Sequence, residues 1–257
     1  MKYEDVHKIV KGRPYITERN ARQLYNFIIE NKIENVVELG IAHGTASCYI
    51  AAALHELGKG KLVSVDLVEA KDIFKPTIEE QLSECGLTSY VDVVREQSGY
   101  NWFLHNEISA QTVDNNCKTK YDLCIIDGPK NWTIDGAAFF MVDKLLNQRG
   151  WVIFDDYGWT YDKEIKAGNT ETDGISHRNL SDQELHSPQI KEVFHLLVMQ
   201  HENYGNFIVH GEGDWAWAQK VKQENKNITF KYGVTYKDFT SRIFRVINKV
   251  FKFRKVE

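Results

Sequence analysis

No run of apolar residues in this sequence approaches the roughly 20 needed to cross a bilayer, so no membrane-spanning helix is expected. Its four cysteines, at 48, 85, 117 and 124, form no CxxC pair. They read as reduced, mostly structural thiols. The opening stretch "MKYEDVHKIVKGRPY" lacks an apolar signal core, which leads to the expectation of a cytoplasmic protein. No internal repeat and no low-complexity tract is present. The GxGxxG fingerprint of dinucleotide-binding loops is also missing, which disfavours a nicotinamide dehydrogenase.

What is present is a soluble globular composition, 42% apolar and 26% charged over 257 residues, enough for one substantial core. The net charge of −4 hides an asymmetry: from Lys220 onward eleven Lys/Arg face three Asp/Glu, so the rest of the chain is strongly acidic. An acidic body argues against general nucleic-acid binding, and no nucleic-acid partner is expected.

Five short apolar stretches, "NVVELG", "KLVSVDL", "YVDVVRE", "YDLCIID" and "GWVIFDD", read as strands apolar on both faces, as in a covered parallel sheet. Helical patterns separate them: "TASCYIAAALHELG", "PTIEEQLSECGL" and "TIDGAAFFMVDKLLNQRG". Ahead of the first strand, "TERNARQLYNFIIENK" spaces Leu24, Phe27, Ile28 and Asn31 as one helix face, with Thr17 as N-cap. This alternation builds a doubly wound α/β sheet. Near the end, two strands meeting at "GEGD" predict an antiparallel hairpin at the sheet edge. The reading gives an N-terminal helical segment at 1–34, a domain at 35–220 with a polar, lid-like insertion at 160–189, and a basic extension at 221–257.

The first chemical motif is "VVELGIAHGTAS", in which a strand ends in Glu38 and Gly40, passes Gly44 and enters a helix. Glycines let a backbone approach a ligand, and a helix N-terminus offers free N–H donors. Asp66 closes the next strand, where a carboxylate can accept both hydroxyls of a ribose. A tightly packed βα turn is the bland alternative; the acid on the second strand favours a nucleoside-type ligand.

These features resemble the class I S-adenosylmethionine-dependent methyltransferases over residues 17–220. The resemblance implies a single Rossmann-like sheet, mostly parallel, with an antiparallel C-terminal edge hairpin. It also implies S-adenosylmethionine as cofactor, the glycine loop under its methionine part, Asp66 on the ribose, and Gln97 or Ser98 at the adenine.

A second constellation ends strands four and five: Asp127 in "CIIDGPKNW", and the adjacent pair Asp155 and Asp156 in "GWVIFDDYGW". In a parallel sheet both ends face one crevice, where unpaired carboxylates would repel. Mg²⁺ would remove that penalty and lower the pKa of a bound substrate hydroxyl. Solvation or helix capping is the plain alternative for any one of these aspartates. The spacing is similar to that of the metal-dependent O-methyltransferases related to the catechol enzymes. By that resemblance Asp127, Asp155 and Asp156 are metal ligands, Asp127 also borders the cofactor, and Lys130 is the general base. The second member of the pair is Asp156 rather than Asn, and "DDYG" is more similar to the macrolide-sugar O-methyltransferases. Gly128 stands where the catechol enzymes carry His. Both departures point from phenols toward sugar hydroxyls.

His177 and His186, in the polar insertion, are alternative bases, since a histidine pKa already lies near 7. His43, inside the glycine loop, either contacts cofactor or packs. Trp132, Tyr157, Trp159 and Tyr161 flank the crevice and suit stacking on sugars, or cover the core edge. The C-terminal "KDFTSRIFRVINKVFKFRKVE" reads as a basic amphipathic helix that lies on the inner face of a membrane, on a partner subunit in a homo-oligomer, or on the protein's own acidic body. The expected activity is O-methylation of a small-molecule or glycan hydroxyl with Mg²⁺ assistance. A metal-independent methyltransferase and a non-catalytic S-adenosylmethionine-binding protein are the alternatives.

Overall fold

The computed structural model describes residues 1–163 in full, the backbone of 164–166, residues 180–223 and residue 243. The chain divides into two units, 1–224 and 225–257, and the fold below is that of the first. His177 and the basic helix expected at the C-terminus lie outside the described residues, residue 243 apart. Among the described residues no helix is long and apolar enough to cross a membrane.

Seven strands form one sheet: β1 (Asn35–Leu39), β2 (Lys61–Leu67), β3 (Val91–Glu96), β4 (Tyr121–Ile126), β5 (Leu146–Phe154), β6 (Tyr204–His210) and β7 (Trp215–Lys220). Their spatial order is β3-β2-β1-β4-β5-β7-β6. The first five strands run parallel. β7 inserts antiparallel between β5 and its hairpin partner β6. This is the expected doubly wound sheet with its edge hairpin.

The apolar runs work because successive side chains point to opposite faces of a strand. Val36, Leu123, Ile125, Ile153 and Trp217 enter one core cluster, with the helices α1 (Tyr3–Val10), α2 (Glu18–Asn31) and α3 (Thr45–Leu57). Their neighbours Val37, Cys124, Ile126, Val152, Phe154, Ala216 and Ala218 enter a second cluster on the other face. That face is covered by the helices at Tyr100–Gln111 and Trp132–Leu145 and by the apolar residues of 190–198. Thr17 caps α2 as expected, its hydroxyl accepting from the Asn20 amide at 3.1 Å.

Three points differ from expectation. Asn31 is exposed at the end of α2 rather than on its core face. The helix at Tyr100–Gln111 was not anticipated, because only Tyr100, Phe103 and Leu104 of its residues are buried and the rest carry no apolar period. α1 lies within the segment 1–34 read as helical, and it docks through Tyr3, Val6 and Val10. The helix predicted to run to Gly150 stops at Leu145, and residues 146–149 open β5 instead. Within the polar insertion, short helices occupy Tyr161–Lys166 and Asp182–His186.

The strand order reverses between β1 and β4, and in open α/β sheets such a reversal marks the ligand crevice at the carboxyl ends of the strands.

Candidate functional site

The loop from β1 into α3 forms one wall of this crevice. Gly40 has φ +97°, and a Cβ there would lie 2.0 Å from the backbone oxygen of Asp127. Gly44, at φ +81°, is the N-cap of α3, and a Cβ on it would meet Ile78 at 2.5 Å. Glycine is thus demanded first by packing. The Asp66 carboxylate draws the loop in: one oxygen accepts from the Ile41 and Ala42 amides at 2.9 and 3.0 Å, the other from Leu67 at 2.7 Å. Only partly buried, Asp66 keeps acceptor capacity for the hydroxyls of a ribose. Gln97 and Ser98 are exposed just past β3.

Glu38 behaves differently from the expectation. It is 2% exposed and accepts from the hydroxyls of Ser47 at 2.5 Å and Ser64 at 2.8 Å. It therefore braces the loop from beneath rather than facing a ligand. Burial pushes its carboxyl up to about 7, against the pull of the two serines. A raised acid keeps its proton in the fold where the unfolded chain has lost it. Stability at this group is accordingly lost as pH rises from about 4.5 to about 7. Glu38→Gln is expected to leave stability at pH 5 little changed and to raise it at pH 8 by on the order of 2–3 kcal/mol. Urea unfolding at the two pH values measures this; an unchanged pH slope would show that Glu38 is ionised in the fold.

His43 packs. Its ring stacks on Tyr15 at 5.6 Å and meets the edge of Phe74 at 5.3 Å.

The opposite wall carries the carboxylates. Asp127 follows β4, its amide bonded to the Leu39 carbonyl at 2.8 Å, and Asp155 and Asp156 follow β5. One oxygen of each can be chosen so that all lie within 4.8 Å of one another, a set of hard donors of the kind a divalent cation takes. A cation already stands among them: Lys130 Nζ is ion-paired with Asp127 and lies 3.1 Å from Asp156 Oδ2. Both Lys130 (φ +59°) and Asp156 (φ +54°) adopt left-handed backbone, which aims ammonium and carboxylate at each other.

Burial pushes Asp127 up to about 6, opposed by Lys130 and reinforced by Asp156. Burial, then Asp127 and Asp156, raise Asp155 well above the usual carboxylate range. Burial works against the charge on Lys130, but Asp127, Asp156 and Asp155 outweigh it and raise its pKa. Here Lys130 is a counter-ion, and its action as a base at neutral pH requires that the carboxylates be neutralised by something else.

Several positioning residues were not foreseen. Asp135, wholly buried, accepts from the Tyr100 hydroxyl and from the Asn131 amide at 2.6 Å, fixing the loop after Asp127. Its carboxyl is pushed up to about 6 by burial, with Tyr100 pulling it down. The ring of Tyr100 lies so close to Gly128 that a Cβ there would be 2.0 Å from its oxygen. Size at position 128 is thereby restricted. Tyr161 donates to the Pro129 carbonyl at 2.6 Å. Asp214, from the "GEGD" turn, accepts from the Gly158 amide at 2.8 Å and holds "DDYG" in place. Among the expected aromatics, Trp132 is 37% exposed, Trp159 packs edge-on to Tyr161, and the Tyr157 hydroxyl bonds His195 at 2.6 Å. His186 bonds the Asp182 carbonyl at 2.7 Å and is exposed.

The strand order is that of a Rossmann-like methyltransferase sheet, with the glycine loop and the Asp66 carboxylate at the carboxyl ends of its strands. Residues 37–157 match a family model described as a methyltransferase domain. Solved structures of the same fold include the O-methyltransferase TomG from Streptomyces achromogenes, involved in tomaymycin synthesis, in complex with SAM. It is 15% identical with a TM-score of 0.57, over 86% of this chain and 92% of that one. An O-methyltransferase from Bacillus cereus in complex with SAH is 16% identical with a TM-score of 0.57, over the same shares of 86% and 92%. The SAH-bound Podospora anserina methyltransferase PaMTH1 is 12% identical with a TM-score of 0.57, over 86% and 87%. At such identities the likeness concerns the fold. No curated protein sequence matches the chain.

Proposed function

We propose that the protein transfers the methyl group of S-adenosylmethionine to a hydroxyl of a sugar or glycan, with Mg²⁺ assisting. The contact between Gly40 and the Asp127 backbone carries this reading, because it joins the loop suited to the cofactor directly to the carboxylates. The sulfonium methyl and an acceptor oxygen held by those carboxylates would then be neighbours, and much of the rate would come from that alignment. When bound, Mg²⁺ would supply the charge that favours the acceptor's oxyanion. Asp127, Asp155 and Asp156 are the residues to hold it. Lys130, freed of its carboxylate partners, would take the hydroxyl proton on Nζ. The basic sequence of 221–257 suits an acceptor presented at the inner face of a membrane.

One observation favours a second reading. Lys130 itself neutralises Asp127 and Asp156, so a metal-independent enzyme with a built-in cation is also supported.

Calorimetric titration of S-adenosylhomocysteine into chelator-treated protein, with and without Mg²⁺ and with NAD as control, tests the reading. Binding of the nucleoside and not NAD, with heat from Mg²⁺ alone, is the expected result. Nucleoside binding with no Mg²⁺ response selects the second reading, and no nucleoside binding removes both.

A further inference from the structure

A few residues on from Asp127 and Lys130, the first turn of the helix Trp132–Leu145 meets the returning end of the polar insertion, and between them lies a cavity of about 170 Å³. That is small beside the ~300–1,000 Å³ of sites for drug-sized ligands and is of the size for a single ring. Its walls include Trp132, Thr133, Gln183, Glu184, Ser187 and Glu192.

A helix N-terminus ordinarily invites an anion. This one does not. Gln189 accepts from the Trp132 amide at 2.8 Å, and Asn131 accepts from Thr133 at 2.8 Å and Ile134 at 3.2 Å. Asp135 takes the Asn131 amide, so the donors that would meet a phosphate are already bonded. Two carboxylates on the wall, Glu184 and Glu192, add a field that repels anions.

The side chains of Thr133, Gln183, Ser187 and Glu192 have no hydrogen-bond partner among the described residues. Hydroxyl, amide and carboxylate groups of this kind match the mixed donors and acceptors of a polyol. Trp132 adds an indole at 37% exposure. Its amide is held by Gln189, and Asn131 holds the next two amides of the turn; both residues are 6% exposed, so the backbone under the indole is pre-organised.

We propose that this cavity is a subsite for one neutral pyranose ring, its apolar face on Trp132 and its hydroxyls shared among Glu192, Gln183, Ser187 and Thr133. The subsite holds the sugar unit next to the one methylated, and in that respect it rests on the glycan reading above. A free anionic acceptor, such as a nucleotide or a coenzyme A thioester, is rejected here.

The test is saturation-transfer NMR on the full chain with the methyl glycosides of glucose, galactose, mannose and rhamnose, and with coenzyme A as anionic control. At least one glycoside is expected to receive saturation on its ring protons, and coenzyme A none at this cavity. Trp132→Ala should weaken the glycoside by about tenfold or more, as loss of a central tryptophan does elsewhere, while Trp132→Phe keeps most of the signal. Both variants should bind S-adenosylhomocysteine as the wild type does, which controls for folding. No signal from any glycoside, or a signal that Trp132→Ala leaves unchanged, overturns the subsite. Glycoside binding without S-adenosylhomocysteine binding would instead overturn the methyltransferase reading and leave the subsite standing.

Discussion

Gly40→Ala is expected to destabilise the fold by about 3 kcal/mol or more and to weaken S-adenosylhomocysteine binding at least about a hundredfold. The added Cβ would lie 2.0 Å from the Asp127 backbone oxygen and 2.7 Å from its carbonyl carbon. Neither atom can yield cheaply. Leu39 pairs with Ile126 in the β1–β4 ladder, and the Asp127 amide is bonded to Leu39, so the clash is between two central strands. The left-handed backbone at position 40, φ +97°, adds about 1–2 kcal/mol for any residue with a side chain. A control separates the two contributions: Gly86 has φ +64° and nothing within 4 Å of a built Cβ. Gly86→Ala should therefore cost about 1–2 kcal/mol, the backbone strain alone. Thermal unfolding of both variants, alongside nucleoside titration, reads the difference. Equal losses in the two would refute the claim that Gly40 is needed for the approach of Asp127.

The contrast between these two glycines shows what a sequence conveys and what it withholds. Gly40 and Gly44 were recognisable as a ligand loop from their position between a strand and a helix. That Gly40 is pressed against Asp127, 87 residues later, depends on which strands become neighbours. The sheet itself was largely legible, because runs such as "YDLCIID" feed two cores at once, with Leu123 on one face and Cys124 on the other. The convergence of Asp127 with Asp155 and Asp156 was legible too, since parallel strands carry their ends to one edge. The direction in which a side chain points was not. Glu38 turns beneath the loop to the hydroxyls of Ser47 and Ser64, and His43 turns toward Tyr15 and Phe74, contacts that form only once the fold brings those partners near. Lys130 meets Asp156 because both sit at positive φ, a property that neither residue type announces. The Tyr100–Asp135 bond joins an unforeseen helix to a foreseen one, and it had no periodic signal.

Replacement of Lys130 by methionine is the substitution expected to separate charge balance from chemistry. Among the described residues, Lys130 is the cation paired with Asp127 and Asp156. Breaking a buried ion pair from one side costs about 3–5 kcal/mol, because the remaining charge is left uncompensated. With side-chain exposures of 14% for Lys130 and 27% for Asp127, the lower part of that range applies. The loss should depend on pH in a definite sense. Asp127 is already pushed up to about 6 with the ammonium beside it, and removal of that ammonium raises it further. The variant is thus destabilised most at pH 8, where an ionised Asp127 has no ammonium beside it, and it approaches the wild type below about pH 5, where Asp127 holds its proton. Added Mg²⁺ should recover stability at pH 8 in the variant more than in the wild type, since it no longer competes with an ammonium for the same oxygens. Methyl transfer separates the roles. If Lys130 takes the acceptor proton, Lys130→Met with Mg²⁺ stays folded yet loses about 10²–10⁴ in rate, the range for removal of a general base. If Lys130 is only the counter-ion, Mg²⁺ restores rate and stability together. If Mg²⁺ restores neither, the carboxylates do not hold the metal, and the ammonium is the cation for which Asp155 and Asp156 stand side by side.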